Sequence, residues 1–133
     1  MKNKIFALFM FVFVALQTTC FAEWHYLADT PSDSDSKLNN SWYIETESCY
    51  YSHKKGHCKV KCAYPEGGYA ITDVRIDYNK KTIQLGQTRE YNIHDVEVDY
   101  DEGWGDTVKV KQGHLSQEIL NMNWHYGRNN VTK

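Results

Sequence analysis

The densest chemistry in the chain lies in CYYSHKKGHCKVKC, Cys49 to Cys62, where three cysteines and two histidines fall within fourteen residues. A disulfide staple, a metal site and a nucleophilic thiol all use these residue types. Treated as a hairpin closed over Ser52 to Gly56 and centred between His53 and Lys54, the stretch has facing residues whose numbers sum to 107. Cys49 then faces Cys58, Glu47 faces Val60 and Glu45 faces Cys62. Facing positions hold their Cβ atoms about 4.5–5.5 Å apart, a gap that strand twist can close toward the roughly 3.8 Å of a disulfide. Cys58 and Cys62 share one face of one strand, about 13 Å apart, and cannot bond to each other there. The expected staple is therefore Cys49 with Cys58, leaving Cys62 as a buried thiol or a link between two chains.

Zinc is the alternative, with ligands drawn from Cys49, His53, His57, Cys58 and Cys62. The spacing C-x3-H-x3-H-C-x3-C matches no standard structural zinc site, and neighbouring His57 and Cys58 point to opposite faces of a strand. A catalytic Cys-His pair needs a third group to orient its base, and no motif supplies one. DYDEGWGD, Asp99 to Asp106, offers Asp99 and Asp101 to calcium, but Val110 stands where a bidentate Glu belongs. No G-x-S-x-G, H-E-x-x-H or phosphate-cradling glycine loop occurs. No catalytic residue, metal or cofactor is expected.

Those residues work in a compartment that the first segment sets. Lys2 and Lys4 precede an apolar run, Ile5 to Leu16, and small and polar residues lead to Ala22. This is the pattern of a secretory signal peptide over residues 1–22, cut after Ala22. The run is shorter than the roughly 20 residues of a membrane span, so no integral membrane segment is expected after cleavage. Lipidation of Cys20 is the other reading, although Leu16 lies one place too far upstream for it. Cleavage leaves 111 residues, one domain's worth, and takes away two lysines, moving the formal charge from −2 to −4. That balance gives no basic nucleic-acid surface. All five phenylalanines leave too, so the mature aromatics are four Trp and ten Tyr, which suit half-buried sheet faces and contact surfaces.

The elements that position the cysteines read as strands: Trp24 to Leu27, Trp42 to Ser48, Cys58 to Tyr64, Tyr69 to Tyr78, Thr82 to Tyr91, Val96 to Tyr100 and Thr107 to Val110. Asp29 to Asn40 is a polar loop whose acids serve as turn-formers. A two-residue turn at Asn79-Lys80, with Asn79 left-handed, sets Ile76 against Ile83 and Val74 against Leu85. The turn Asn92 to Asp95 sets Tyr91 against Val96. Leu115, Ile119 and Met122 form a helical stripe widened by Leu120 and Trp124, and Gly127 stops it. The expected fold is α+β, an antiparallel sheet of about five to seven strands with one C-terminal amphipathic helix on one face. A single domain spans 23–128, and residues 129–133 form a disordered tail.

In this order the segments resemble the bacterial surface-adhesin protein E family. The resemblance rests on Glu23-Trp24, Tyr43-Ile44-Glu45, Ser48-Cys49, Val60-Lys61 and Tyr64-Pro65, then Ile76-Asp77-Tyr78-Asn79, Thr82, Tyr91-Asn92, Trp104 and the helix around Ile119. Lys59, Asp95, Gln112 and His114 depart from the pattern, the last two at the helix start. The resemblance implies an exported protein of the periplasm or cell surface, often dimeric, and a role as an adhesin for host matrix or serum proteins.

The expected function is thus non-enzymatic binding of an extracellular or host protein. The residues expected to contact it are Tyr50, Tyr51, Tyr69 and Trp104, with Lys54 and Lys55 at the hairpin tip. A periplasmic metal-binding protein using His53, His57, Cys58 and Cys62, and an inhibitor of a secreted host enzyme, are the alternatives. The sequons at Asn39 and Asn130 matter only in a eukaryotic secretory route.

Overall fold

β-branched and aromatic residues alternating with polar ones build eight antiparallel strands, and one helix follows them. In the computed structural model, which describes residues 23–130, these are β1 Trp24–Pro31, β2 Asn39–Glu45, β3 Tyr50–Ser52, β4 Lys55–Ala63, β5 Tyr69–Asp77, β6 Thr82–Tyr91, β7 Glu97–Asp101, β8 Thr107–Lys109 and α1 Leu115–Gly127. The leader with its cleavage point, Cys20 and residues 131–133 lie outside the described residues. One sheet runs in the order β1-β2-β4-β5-β6-β7, curled into a half-barrel, while β3 pairs with β4 and β8 with β6. Helix α1 packs against it, so the fold is α+β as expected.

β4 is the centre of the sheet. All nine of its residues pair with β5, and its other edge is shared by β2 and β3. Strand period two sends Gly56, Cys58, Val60 and Cys62 inward, where all four are buried, and His57, Lys59 and Lys61 outward. Ile44, Val74, Ile76, Ile83 and Ile119 complete the core. Each fully buried aliphatic side chain contributes about 1.5–3 kcal/mol.

The hairpin over His53-Lys54 forms as the sequence predicts. Both residues have positive φ, 52° and 65°, as a two-residue primed turn requires, and Tyr50 pairs with His57 on the expected sum. Beyond Cys49 the register departs from expectation. The predicted strand Trp42 to Ser48 breaks into β2 and a 3-10 turn, Thr46–Ser48. Ile44 therefore faces Val60 and Trp42 faces Cys62, displacing Glu47 and Glu45 from those places. Ser48 fixes the offset, its Oγ donating to Glu45 O and accepting from Lys59 N, both at 2.8 Å.

Other boundaries shift for local reasons. β1 runs on to Pro31 because Asp29, Thr30 and Pro31 find partners in Ser41, Asn40 and Asn39. Ile76 does face Ile83, and Val74 faces Leu85. Their turn, however, spans Tyr78 to Lys81, and Lys81 rather than Asn79 takes the positive φ, because Asp77 Oδ1 accepts from Asn79 N and Lys80 N, each at 3.0 Å. Tyr91 pairs with Glu97, one residue past the expected Val96, at a bulge.

The helix carries a correction. Its buried line runs through Ile119, Asn123 and Gly127, and Trp124 is exposed, with the Arg128 guanidinium 4.2 Å from its ring. Gly127 lies inside the last turn. A Cβ there would come within 2.9 Å of the Tyr50 backbone, so close packing rather than termination explains the glycine. Asn123 is fully buried and donates to Tyr78 Oη (2.7 Å) and Tyr50 O (3.1 Å), which ties α1 to β3. Asn130, placed in a disordered tail by the sequence, donates to Cys49 O at 2.9 Å.

The cysteines need a second correction. Cys49 lies just outside the β3–β4 pairing and shares the core cluster with Cys58, yet among the described residues Cys49, Cys58 and Cys62 form no disulfide and all three are buried. The 3-10 turn aims the Cys49 thiol along the chain, where it donates to Glu45 O at 3.5 Å. Burial pushes Cys49 up to about 12, Cys62 up to about 11 and Cys58 well above the ordinary thiol value. Folded protein at mildly alkaline pH will accordingly resist thiol alkylation, and denaturant without reductant will release all three thiols. Recovery of Cys62 alone would show Cys49 joined to Cys58.

Candidate functional site

The sheet has one covered face and one bare one. Helix α1 packs against the inner side of β1, β3 and β4. Trp104 covers Gly86, but no described helix or strand lies over the outward residues of β1, β2, β4, β5, β6 and β7. Register aligns them in a row across six strands: Tyr26 beside Tyr43, Tyr43 beside Lys61, Lys61 beside Ile71, Ile71 beside Arg89 and Arg89 beside Tyr100. Trp24, Tyr69 and Tyr91 flank the row on the same face.

Lys61 stands in the middle of these rings. Its Nζ lies 4.7 Å from the Trp24 ring centre, 5.2 Å from Tyr43 and 5.6 Å from Tyr69. An ammonium over ring faces is held by their quadrupoles, worth about 0.5–2 kcal/mol depending on solvent access. Partial burial lowers the lysine's pKa, opposed by the nearby Asp95 carboxylate. The rings brace one another: Tyr26 meets Tyr43 edge-on at 5.8 Å, and Tyr69 stacks on Tyr91 at 4.9 Å. Farther along, Arg89 pairs with Glu97 at 2.6 Å and lies 4.2 Å from the Tyr100 ring centre. Arg75 lies 3.6 Å from the Trp104 centre. This arrangement of aromatic bodies, polar tips and cations suits contact with another molecule's surface. It has none of the paired nucleophile and base of a hydrolytic site.

The residues expected to contact a partner are dispersed. Tyr69 lies on the bare face and is half-buried in its stack. Tyr50 is exposed, whereas Tyr51 turns inward and packs edge-on against Tyr78 at 4.9 Å. Trp104, expected to be exposed, lies flat on Gly86, where any Cβ would collide with its ring. Lys54 is exposed at the hairpin tip, but Lys55 spends its charge on Asp77 at 2.6 Å. Lys55 and Ala63, the partner of Tyr69, are opposite ends of β4, roughly 26 Å apart. The hairpin residues and Tyr69 therefore form two surfaces.

The alternative metal ligands are also separated. His53 is exposed and its Nδ1 lies 2.8 Å from Ser52 Oγ, His57 points outward, and Cys58 and Cys62 point inward. Among the described residues no three His, Cys, Asp or Glu side chains converge as a metal site. Sequence reasoning missed Trp24, Tyr26, Tyr43, Lys61, Arg89, Tyr91 and Tyr100. Their signal was odd-numbered alternation along β4, but carrying it to β2 required the three-residue offset at Thr46–Ser48.

Comparison with family models, with curated proteins and with solved structures returns no match to this chain.

The Lys55–Asp77 pair yields a pH signature. Lys55 and the Lys80 N–H hold the Asp77 carboxyl below its ordinary 3.8, so the unfolded chain takes up its proton at higher pH than the folded one. The resulting stability is present above the unfolded value, near pH 4, and is lost as pH falls through the folded one. Asp77→Asn keeps the turn's acceptor oxygen and loses the charge. Its melting temperature will be lower than wild type at neutral pH, and the gap will close in acid. A gap independent of pH would refute the ion pair's contribution.

Proposed function

We propose that this chain is an exported, non-enzymatic binding protein that grips an extracellular or host protein with the bare face of its sheet. The observation that carries the reading is the row from Tyr26 to Tyr100, which crosses six strands, is aromatic or cationic on all but β5, where Ile71 stands, and is covered by no other described helix or strand. Tyr, Trp and Arg are the residues that dominate binding energy at protein interfaces. Their prior order favours contact as well, because rings locked by stacking and by Lys61 lose little freedom on binding. No helix among the described residues is long and apolar enough to cross a membrane. The resemblance to the protein E family supports an adhesin role at the cell surface on analogy alone. The metal-binding reading lacks an assembled ligand set, and no observation favours an enzyme inhibitor.

The test is binding of the purified protein to immobilised matrix and serum proteins. Tyr26, Arg89 and Tyr100 are all exposed, Tyr26 by 52 % and Tyr100 by 41 %, so changing each to alanine leaves the core intact. The triple variant will lose affinity by about thirtyfold or more, the equivalent of one hot spot of roughly 2 kcal/mol. A Tyr50→Ala, Lys54→Ala variant at the hairpin will bind as wild type. The opposite pattern would move the contact surface to the hairpin.

A further inference from the structure

The bare face continues beyond the aromatic row to a second feature, built on Arg75. It lies four residues along β5 from Ile71, about 13 Å away, and pairs with outward His57 on one side and Gln84 on the other. There Lys55, Arg75, Asp77, Lys80, Thr82 and Thr107 line an open pocket of about 260 Å³.

Three devices hold the Arg75 guanidinium in place. Its carbon lies 3.6 Å from the Trp104 ring centre, so the planar cation rests on the indole. Gly86 makes room for that indole, since a Cβ there would collide with Trp104 Cε3. A glycine inside a strand weakens it and marks a close approach, and here the approaching group is Trp104. The loop that carries the ring is pinned through Gly105. Gly105 N donates to Leu85 O and Gln84 Nε2 donates to Gly105 O, each at 2.8 Å.

The fork held in this way has no anion beside it. The two ion pairs among the described residues are Lys55–Asp77 and Arg89–Glu97, and neither uses Arg75 or Lys80. Lys55 and Asp77 neutralise each other, which leaves the pocket with a surplus of two positive charges in a chain of formal charge −2.

We propose, resting on the binding role argued above, that this pocket receives a glutamate or aspartate side chain of the protein partner, its carboxylate paired with the Arg75 fork and attracted by Lys80. A guanidinium fork matches carboxylates and phosphates alike. Asp77 in the wall and the acids of the Trp104 loop, Asp101, Glu102 and Asp106, repel a doubly charged phosphate more strongly than a single carboxylate. Because Arg75 is already stacked, it loses little freedom on pairing. The aromatic row supplies contact area, and the pocket fixes the partner's register on it.

The probe is an acetylated, amidated peptide of alternating glutamate and glycine, titrated to about 10 mM because exposed ion pairs are weak. Saturable shifts of the Arg75 Nε–H and Trp104 indole N–H resonances are expected, and the matching glutamine peptide should give none. Arg75→Lys keeps the charge without the fork and should weaken binding about tenfold. Arg75 is exposed, so far-ultraviolet circular dichroism should not change. Arg128→Lys, at the arginine stacked on Trp124, should bind as wild type. No saturable shift, equal shifts with the glutamine peptide, or full binding by Arg75→Lys would overturn the proposal and leave the stack a packing contact. Tighter binding of inorganic phosphate or sulfate than of the peptide would overturn the carboxylate assignment, and loss of binding in Arg128→Lys would overturn the location. No partner is needed here, so failure of this titration and failure of the Tyr26, Arg89 and Tyr100 variant to lose affinity are separate results.

Discussion

The structure depends on β4 being hydrogen-bonded along both edges. A strand paired with β5 at every residue cannot rotate to relieve a misplaced side chain, and a slip of one residue would turn Lys59 and Lys61 into the core and Cys58 and Val60 into water. Everything else is positioned from that strand. The β5 core residues Val74 and Ile76 are set by Cys58 and Gly56. Helix α1 can approach only where Gly56 leaves room, since a Cβ there would fall 2.4 Å from Asn123 Nδ2. Asn123 then reaches Tyr78 and the β3 backbone, and the C-terminal helix is fixed to the hairpin.

The same constraint makes the bare face. With a single helix available, only one side of the sheet is covered, and the outward residues of β4 and its neighbours must be stable without a lid. Burying rings against rings, with an ammonium among them, achieves this for Trp24, Tyr43, Tyr69 and Lys61. Such a surface is apolar enough to be ordered and polar enough to remain in water. Organisation that serves stability therefore also leaves an ordered aromatic surface facing solvent.

The sequence was most legible where one local rule operates. Alternation showed the strands, the Ile76–Ile83 and Val74–Leu85 pairings followed from it, and the primed turn at His53-Lys54 was located correctly. It was least legible where a short element changes register. Ser48 cannot be recognised in advance as the pin of a 3-10 turn, because its two hydrogen bonds join groups eleven residues apart on Lys59 and close by on Glu45. That offset hid the alignment of Tyr43 with Lys61, and with it the aromatic row of the uncovered face. Trp104 and Gly127 misled for a related reason. Each looked like a local signal, an exposed aromatic and a helix stop, but each is explained by a tertiary contact, with Gly86 and with the Tyr50 backbone.

Lys61 sits outward among three aromatic rings at the middle of the sheet's uncovered face. Ring currents test it directly. In a nuclear magnetic resonance spectrum of the folded protein, the Lys61 δ and ε methylene protons should be displaced strongly upfield and show cross-peaks to the rings of Trp24, Tyr43 and Tyr69. Lysine resonances all at their ordinary solvent-exposed positions, with no ring contacts from Lys61, would contradict the register of β4 and the face built on it.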